Sequence, residues 1–462
     1  VGGTVRREED LLGARDLPEG VLYGVQTLRA MENFSISPYR VSPLFVEAMV
    51  FVKKAAALTN LELGYLEEPK GRAILQACDE VLEGKHREHF VVDPFQGGAG
   101  TSTHMNVNEV LARRAEALLG APVSPLEEVN LHQSTNDVYP TALRVASLFR
   151  LKELESEIAG LQEALQRVET REAGVVKLGR TQLQDAVPLT TGLEIAAWAE
   201  AFARDRWRIF KCRERLKTVN LGGTAVGTGL GAPREYIFRV SLRLKELTGL
   251  NLSRSENLVE ATQNLDPFVE VSGILKTLGS NLLKITSDMR LLASGPQGGL
   301  GELLLPQRQP GSTVMPGKVN PVIPEAVGQV ALRVMGNDQV ITAAASLGQL
   351  ELNPYLPLIA FTLLESLEIL SRGCKTLRTL CVEGMVFDGK RCRELLEKSR
   401  TLAYLLLPKL GYHGVEKVLK EAEERGETVG ERVVALGLVS EEEWRDLTSP
   451  ENLTRLGFTE ER

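Results

Sequence analysis

Apolar residues recur through the middle of the chain at helical spacing. Leu151, Leu154, Ile158, Leu161, Leu165 and Val168 stand 3, 4, 3, 4 and 3 residues apart, the narrow apolar seam of a long amphipathic helix. The pattern resumes from Thr190 to Leu216 after a break at Pro188. A third segment, Pro267 to Ala293, carries Leu275, Leu278, Leu282, Ile285 and Leu292. A fourth runs from Pro324 to Leu347 and opens on a proline suited to a first helical turn. The fifth is Leu356 to Leu380. Helices of about 23 to 30 residues are about 35 to 45 Å long. Such lengths need partners on more than one side, which predicts a helix bundle and assembly between chains.

The flanks differ in texture. The first ~140 residues mix short helices with glycine-rich turns, and Asn108 to Leu118 reads as helical. From about Asp388 the chain turns to Lys/Glu-rich helices and reads as a small helical domain. Strand signals are few and short, so the fold class is mainly α.

Three polar segments interrupt this pattern. Gly311-Ser312-Thr313-Val314-Met315-Pro316-Gly317-Lys318-Val319-Asn320-Pro321 is too polar for a core and too broken for a helix or strand interior. Its hydroxyls, amide and lysine suit a small polyanion; an ordinary surface turn is the plain alternative. Gln96 to Glu109 places Gly97, Gly98 and Gly100 before Thr101 and Ser102, where a helix could begin. Glycines allow close approach to a ligand, and N–H groups at a helix start attract anions. The segment lacks the Lys-Ser/Thr ending of a phosphate-cradling loop, and no clear strand precedes it, which argues against a nucleotide site. The third segment, His132-Gln133-Ser134-Thr135-Asn136-Asp137, also reads as a helix cap. Between Ser294 and Gly311, five glycines and three prolines suggest a lid or binding loop, or else a flexible connector.

Composition narrows the choices. A formal charge of -7 argues against a nucleic-acid partner, and leaves an anionic ligand dependent on local donors. The five cysteines form no CxxC pair and the five histidines have no metal-ligand spacing, so free thiols and no metal are expected. No apolar run reaches the ~18 residues needed to span a bilayer, and Arg6 to Asp10 is charged with no apolar stretch behind it. A cytoplasmic protein is the expectation.

The three segments together resemble the aspartase/fumarase superfamily, whose signature loop matches Gly311 to Pro321. Arg7 to Gly13, Tyr23 to Ala30, Glu32-Asn33-Phe34 and Gly179 to Gln184 look like the aspartate ammonia-lyase branch in particular. Gly222 to Leu230, Ser287 to Pro296 and Gly336-Asn337-Asp338 are also family-like. The resemblance implies three mostly helical domains: an N-terminal domain 1–139, a central long-helix bundle 140–387 and a small C-terminal domain 388–462. It further implies a homotetramer whose active sites are each built by three chains.

The implied reaction is the reversible elimination of ammonia from L-aspartate to give fumarate, with no cofactor. Ser312 takes the place of the base. Ser134, Thr135 and Thr313 match residues that hold the β-carboxylate. Lys318, Asn320 and Thr181 match those on the α-carboxylate, and Thr101, Asn136 and Gln182 lie where the leaving group is held. Removing a proton beside a carboxylate makes an enediolate, so many donors must converge on its oxygens. A serine can act as base only as an alkoxide stabilised by N–H groups and positive charge; on its own, Ser312 reads as an ordinary turn hydroxyl, and the intact signature loop reverses that reading. Fumarate hydratases typically carry histidine at the position of Gln182, paired with a glutamate matching Glu325. Glutamine neither gives nor takes a proton, which favours ammonia elimination over hydration. His104 and His132 remain as alternative proton carriers. Retention of Ser312, Lys318 and Asn320 argues against a non-catalytic helical scaffold.

Overall fold

A computed structural model describes residues 4–457. Residues 1–3 and 458–462, the ends of the expected first and third domains, lie outside the described residues.

The chain opens with an antiparallel hairpin, β1 (Val5–Asp10) and β2 (Gly13–Pro18). Helices α1 (Val25–Asn33), α2 (Pro43–Glu62), α3 (Glu68–Leu82) and α4 (Thr101–Leu119) follow. Then come α5 (Thr135–Glu172), the hairpin β3 (Val176–Thr181) and β4 (Gln184–Thr190), and α6 (Thr191–Leu216). Strands β5 (Thr218–Val219) and β6 (Ser253–Arg254) pair around α7 (Arg234–Thr248). After α8 (Leu258–Gln263) and α9 (Asp266–Leu292), β7 (Leu303–Leu304) pairs with β8 (Val386–Phe387), the two enclosing α10 (Val322–Ser346) and α11 (Leu356–Leu380). Five shorter helices close the chain: α12 (Gly389–Lys398), α13 (Leu407–Arg425), α14 (Val429–Ala435), α15 (Glu441–Leu447) and α16 (Pro450–Thr454).

The five long helices predicted from spacing are α5, α6, α9, α10 and α11. Only α5 departs from expectation. It starts before Pro140 and runs for 38 residues. A proline removes the N–H that would bond four residues back, which here strands the carbonyl of Asn136. Asn220 Nδ2 supplies the missing donor at 3.0 Å, so the helix continues through the proline.

The residues divide into two compact units. The first comprises 4–155, Trp207–Gly279 and Leu332–Ser371; the second comprises Ser156–Arg206, Ser280–Ala331 and 372–457. Each of the five long helices supplies residues to both.

In the first unit α2 packs on α3, α4 and α7. It is apolar on nearly every side, with Phe45, Val46, Met49, Val50, Val52 and Ala56 buried, the pattern of an interior helix. Lys53, Thr59 and Asn60 are its buried polar residues, and of these Lys53 carries the ionisable group. Helix α1 lacks a capping side chain of its own. Buried Glu109 of α4 substitutes, accepting the N–H groups of Gly24 and Gln26 at 2.9 Å and of Thr27 at 3.1 Å.

In the second unit Ala403, Leu406, Val415, Val418, Val429 and Val433 form the core of the C-terminal helices, with Trp444 packed against it. Thr428 with Glu431 and Ser440 with Glu443 form capping boxes at α14 and α15. Leu178 of β3 packs with Leu396 and Leu402, fastening the β3–β4 hairpin to these helices. Among the described residues, no helix is long and apolar enough to cross a membrane.

Candidate active site

The ten candidate residues fall into three groups. Thr101, Ser134, Thr135 and Asn136 lie in the first unit; Thr181 and Gln182 sit at a hairpin tip in the second, and Ser312, Thr313, Lys318 and Asn320 on a loop there.

The first group stands at two helix starts. Thr101 is the first residue of α4, about two turns before the helical pattern that starts at Asn108 and where the sequence allowed a helix to begin. Gly98, Ala99 and Gly100 all have positive φ (83°, 54° and 103°) and bend the chain into the helix. A Cβ on Gly100 would collide with the Tyr139 ring, so only glycine fits there. At the start of α5, the Ser134 N–H donates to Asp137 Oδ1 at 3.0 Å, and Ser134 Oγ accepts the N–H of Asn136 at 3.2 Å. The helix-cap reading of this segment is therefore correct. Asn136 Nδ2 donates to Ala225 O at 2.7 Å. Fully buried Asp137 also accepts the N–H groups of Gly222 at 3.0 Å and Thr224 at 3.1 Å through Oδ2. These bonds hold the Gly222–Leu230 loop against the α5 start. Burial pushes the Asp137 carboxyl up to about 6, against the pull of those N–H groups and of Lys53.

Thr135 leads to groups that sequence reasoning passed over or left open. Its Oγ1 lies 2.7 Å from His104 Nδ1, and His104 Nε2 lies 2.5 Å from Lys53 Nζ. Burial, then Lys53, drives His104 well below the ordinary histidine range. With its ring buried and both nitrogens engaged by Thr135 and Lys53, His104 offers neither nitrogen to a substrate, which weighs against it as a proton carrier. Burial likewise drives Lys53 well below the usual lysine range. The available signal was Lys53-Lys54 inside an apolar run, where one of two adjacent lysines must face inward. Asp137 was visible within the polar segment but carried no assigned role.

The second group is set by a strained turn. Strands β3 and β4 join through Gln182 and Leu183, with φ of 54° and 62°, and neither is glycine. Such primed two-residue turns normally take Asn-Gly. The tip lifts Thr181 and Gln182 clear of the unit; both are exposed. At its base, Lys177 donates to Glu194 at 3.0 Å, and Arg180 grips Glu302.

The third group occupies a loop without regular structure. The Gly311 N–H donates to Lys318 O at 2.7 Å, and Asn320 Nδ2 to Gly311 O at 2.8 Å, closing the loop on itself. A Cβ on Gly311 would lie 2.8 Å from both Asn320 N and Lys318 O, so the closure requires glycine. Asn320 thus gives one of its two amide hydrogens to the loop. Ser312 Oγ accepts the N–H groups of Met315 at 2.9 Å and Val314 at 3.1 Å. The loop walls an open cleft of about 430 Å³ lined by Ser312, Met315, Gly317 and Lys318, with Arg308 as a second cation. Thr313 and Lys318 are exposed, and Val314 is 80% exposed. Arg308 lies in the glycine- and proline-rich approach that the sequence marked only as a loop.

All five cysteines are free and buried, and burial pushes each thiol up to about 12. They are unsuited to nucleophilic chemistry.

Long helices with polar loops at their ends, one of them holding a serine bonded to two N–H groups, suit an elimination enzyme. The chain belongs to the lyase family: residues 13–336 match the family model described as lyase, and residues 402–455 match the fumarase C C-terminus. The aspartate ammonia-lyase of Bacillus sp is 44% identical over 460 residues, covering 98% of each chain. The solved structure of fumarate lyase:delta crystallin from Brucella melitensis bound to cobalt matches with a TM-score of 0.93 at 44% identity, over 97% of this chain and 99% of that one. A recombinant class II fumarase from Schistosoma mansoni matches with a TM-score of 0.91 at 33% identity, over 97% and 98%. The kinship expected from the three polar segments holds along the whole chain.

Proposed function

We propose that this chain is a carbon–nitrogen lyase that converts L-aspartate reversibly to fumarate and ammonia. Full-length similarity to an aspartate ammonia-lyase supports the substrate. The observation that carries the chemistry is the pair of N–H groups on Ser312 Oγ. Two fixed donors on one hydroxyl oxygen favour its alkoxide, and Lys318 and Arg308 add positive charge to the same cleft.

The alkoxide takes a proton from C3 of L-aspartate. The electron pair left behind spreads onto the adjacent β-carboxylate, which Ser134, Thr135 and Thr313 hold through hydroxyl donors. The enediolate then collapses: C2=C3 forms, the C2–N bond breaks, and the ammonium group leaves as ammonia. Lys318, Asn320 and Thr181 hold the α-carboxylate, Asn320 through the amide hydrogen not given to Gly311 O. Thr101, Asn136 and Gln182 receive the amine. A protonated amine departs without an acid at Gln182.

The candidate residues are exposed or half-buried and lie on separate elements, which supports sites completed by neighbouring copies in a homotetramer. Exposed Leu193, Trp207, Phe210, Leu332 and Val340 on the long helices supply apolar surface for that assembly. Five free thiols support a reducing, cytoplasmic setting. The test is fumarate absorbance on adding L-aspartate or L-malate. Release from L-aspartate must be far faster; equal or faster turnover of L-malate would instead establish a fumarate hydratase. Light scattering should give about four times the 50.7 kDa chain mass.

A further inference from the structure

We propose that Lys53 and His104 are positioning residues for Thr135, and that together they set the direction in which its hydroxyl donates. The proposal rests on the reading of Thr135 as a contact to the β-carboxylate.

Lys53 Nζ lies 2.8 Å from Gln133 Oε1, 3.0 Å from Asn130 Oδ1 and 2.5 Å from His104 Nε2. The two amides have fixed orientations. Gln133 Nε2 donates to Val129 O and Leu131 O, both at 3.1 Å, and Asn130 Nδ2 donates to Gln133 O at 3.2 Å. Their oxygens therefore face Lys53 and can only accept. Nζ must give two hydrogens to them, and its third position faces His104.

That third position has two states. An ammonium gives its last hydrogen to His104 Nε2. The ring hydrogen then sits on Nδ1 and is donated to Thr135 Oγ1, at 2.7 Å. Thr135 keeps its own hydrogen free for a ligand. A neutral amine instead offers a lone pair to Nε2–H. Nδ1 becomes the acceptor and takes the Thr135 hydrogen, leaving only lone pairs toward the ligand. A carboxylate is acceptor-only, so it binds the first state and is repelled by the second. Binding a dicarboxylate thus favours the ammonium and draws in a proton.

The surroundings are balanced for such a response. Lys53 on α2 is 1% exposed, and among the described residues its hydrogen-bond partners include no carboxylate. Asp137 from α5 and Cys78 from α3 bear on it, Asp137 more strongly, together with His104 from α4. Burial opposes the ammonium and Asp137 favours it.

The test uses the full-length enzyme and the unreactive dicarboxylate succinate. Lys53→Met, His104→Phe and Thr135→Ala should each raise KM for L-aspartate and Ki for succinate by about ten- to a hundredfold, the size of one charge-assisted hydrogen bond. Each should lower kcat less. The double variant His104→Phe/Thr135→Ala should be no worse than Thr135→Ala, since both remove the same bond. His104→Asn, whose amide can still donate to Thr135, should recover much of the affinity. Calorimetry in buffers of different ionisation enthalpy should show proton uptake on succinate binding in the wild type but not in His104→Phe.

Separate outcomes overturn separate claims. Unchanged succinate binding in Thr135→Ala would remove the reading of Thr135 as a ligand contact. Weakened binding in Thr135→Ala with normal binding in His104→Phe would leave that reading intact and end the relay. Losses that multiply in the double variant would also end it, because His104 would then act through packing. Should Lys53→Met not fold, His104→Asn and His104→Phe, matched for thermal midpoint and oligomer mass, decide the question.

Discussion

Arg180 holds Glu302 with both prongs of its guanidinium, Nη1 to Oε2 at 2.8 Å and Nη2 to Oε1 at 3.1 Å. Lys177 Nζ lies 3.5 Å from the same Oε2, and Glu302 is 0% exposed. Arg180 precedes Thr181 at the hairpin tip, and Glu302 precedes β7 on the approach to the Ser312 loop. One buried ion cluster therefore anchors the roots of two candidate site elements. Glu302→Gln leaves half-buried Arg180 without its carboxylate and buried Lys177 with Glu194 alone, and should cost about 3 kcal/mol of stability. Chemical unfolding checks this, and a loss under ~1 kcal/mol would show that the cluster is solvated.

Ser312→Ala removes the oxygen that accepts two backbone N–H groups. Turnover of L-aspartate should fall by several orders of magnitude with the oligomer intact, because the described residues lining the Ser312 cleft include no carboxylate or histidine to take its place. Fumarate release in stopped assays reports it. Substantial remaining activity would move the proton to another group.

Lys318→Met separates binding from chemistry. A charge-assisted hydrogen bond is worth about 1.5 to 3 kcal/mol, or about ten- to a hundred-and-fiftyfold in affinity. KM should rise by that factor. A parallel fall in kcat would show that Lys318 also favours the Ser312 alkoxide; kcat held at the wild-type level would confine it to the carboxylate.

Leu183 is 70% exposed at a φ of 62°. An L-residue in the left-handed region costs roughly 1 to 2 kcal/mol, part of which glycine gives back through its looser unfolded chain. Leu183→Gly should stabilise the protein by up to ~1 kcal/mol in urea unfolding. A destabilised variant would mean that the exposed side chain is covered by a neighbouring copy.

Glu80 supplies the acid dependence. The Arg114 guanidinium, bonded at 2.6 and 2.8 Å, followed by His86, holds its carboxyl at about 2 instead of the ordinary 4.5. A depressed carboxyl stabilises the fold above its unfolded value and loses that contribution as pH falls toward its folded value. The stability gap between wild type and Glu80→Gln should be full above about pH 4.5 and shrink toward about pH 2. A gap constant across that window would show that the pair contributes through packing alone.

The long helices were readable because apolar spacing reports a buried stripe directly. Leu356–Leu380 matches to the residue, and α6, α9 and α10 end within two residues of expectation. The start of α5 was hidden, since its continuation through Pro140 depends on Asn220, 80 residues later in the chain. The charged hairpin β1–β2 shows no apolar alternation, and the tip of β3–β4 has no glycine to announce a turn. The polar segments were visible as local anomalies. Lys53 was not, because its role comes from three partners contributed by other elements.

The partition of the chain has a consequence for its synthesis. Each compact unit is assembled from three separated stretches, and the last of them, Leu332–Ser371 for one and 372–457 for the other, leave the ribosome late. Neither unit can close around its interior while the rest of the chain is still being made. Long apolar seams must wait, exposed, for partners not yet translated, so the nascent chain is the form of this protein most in need of a chaperone.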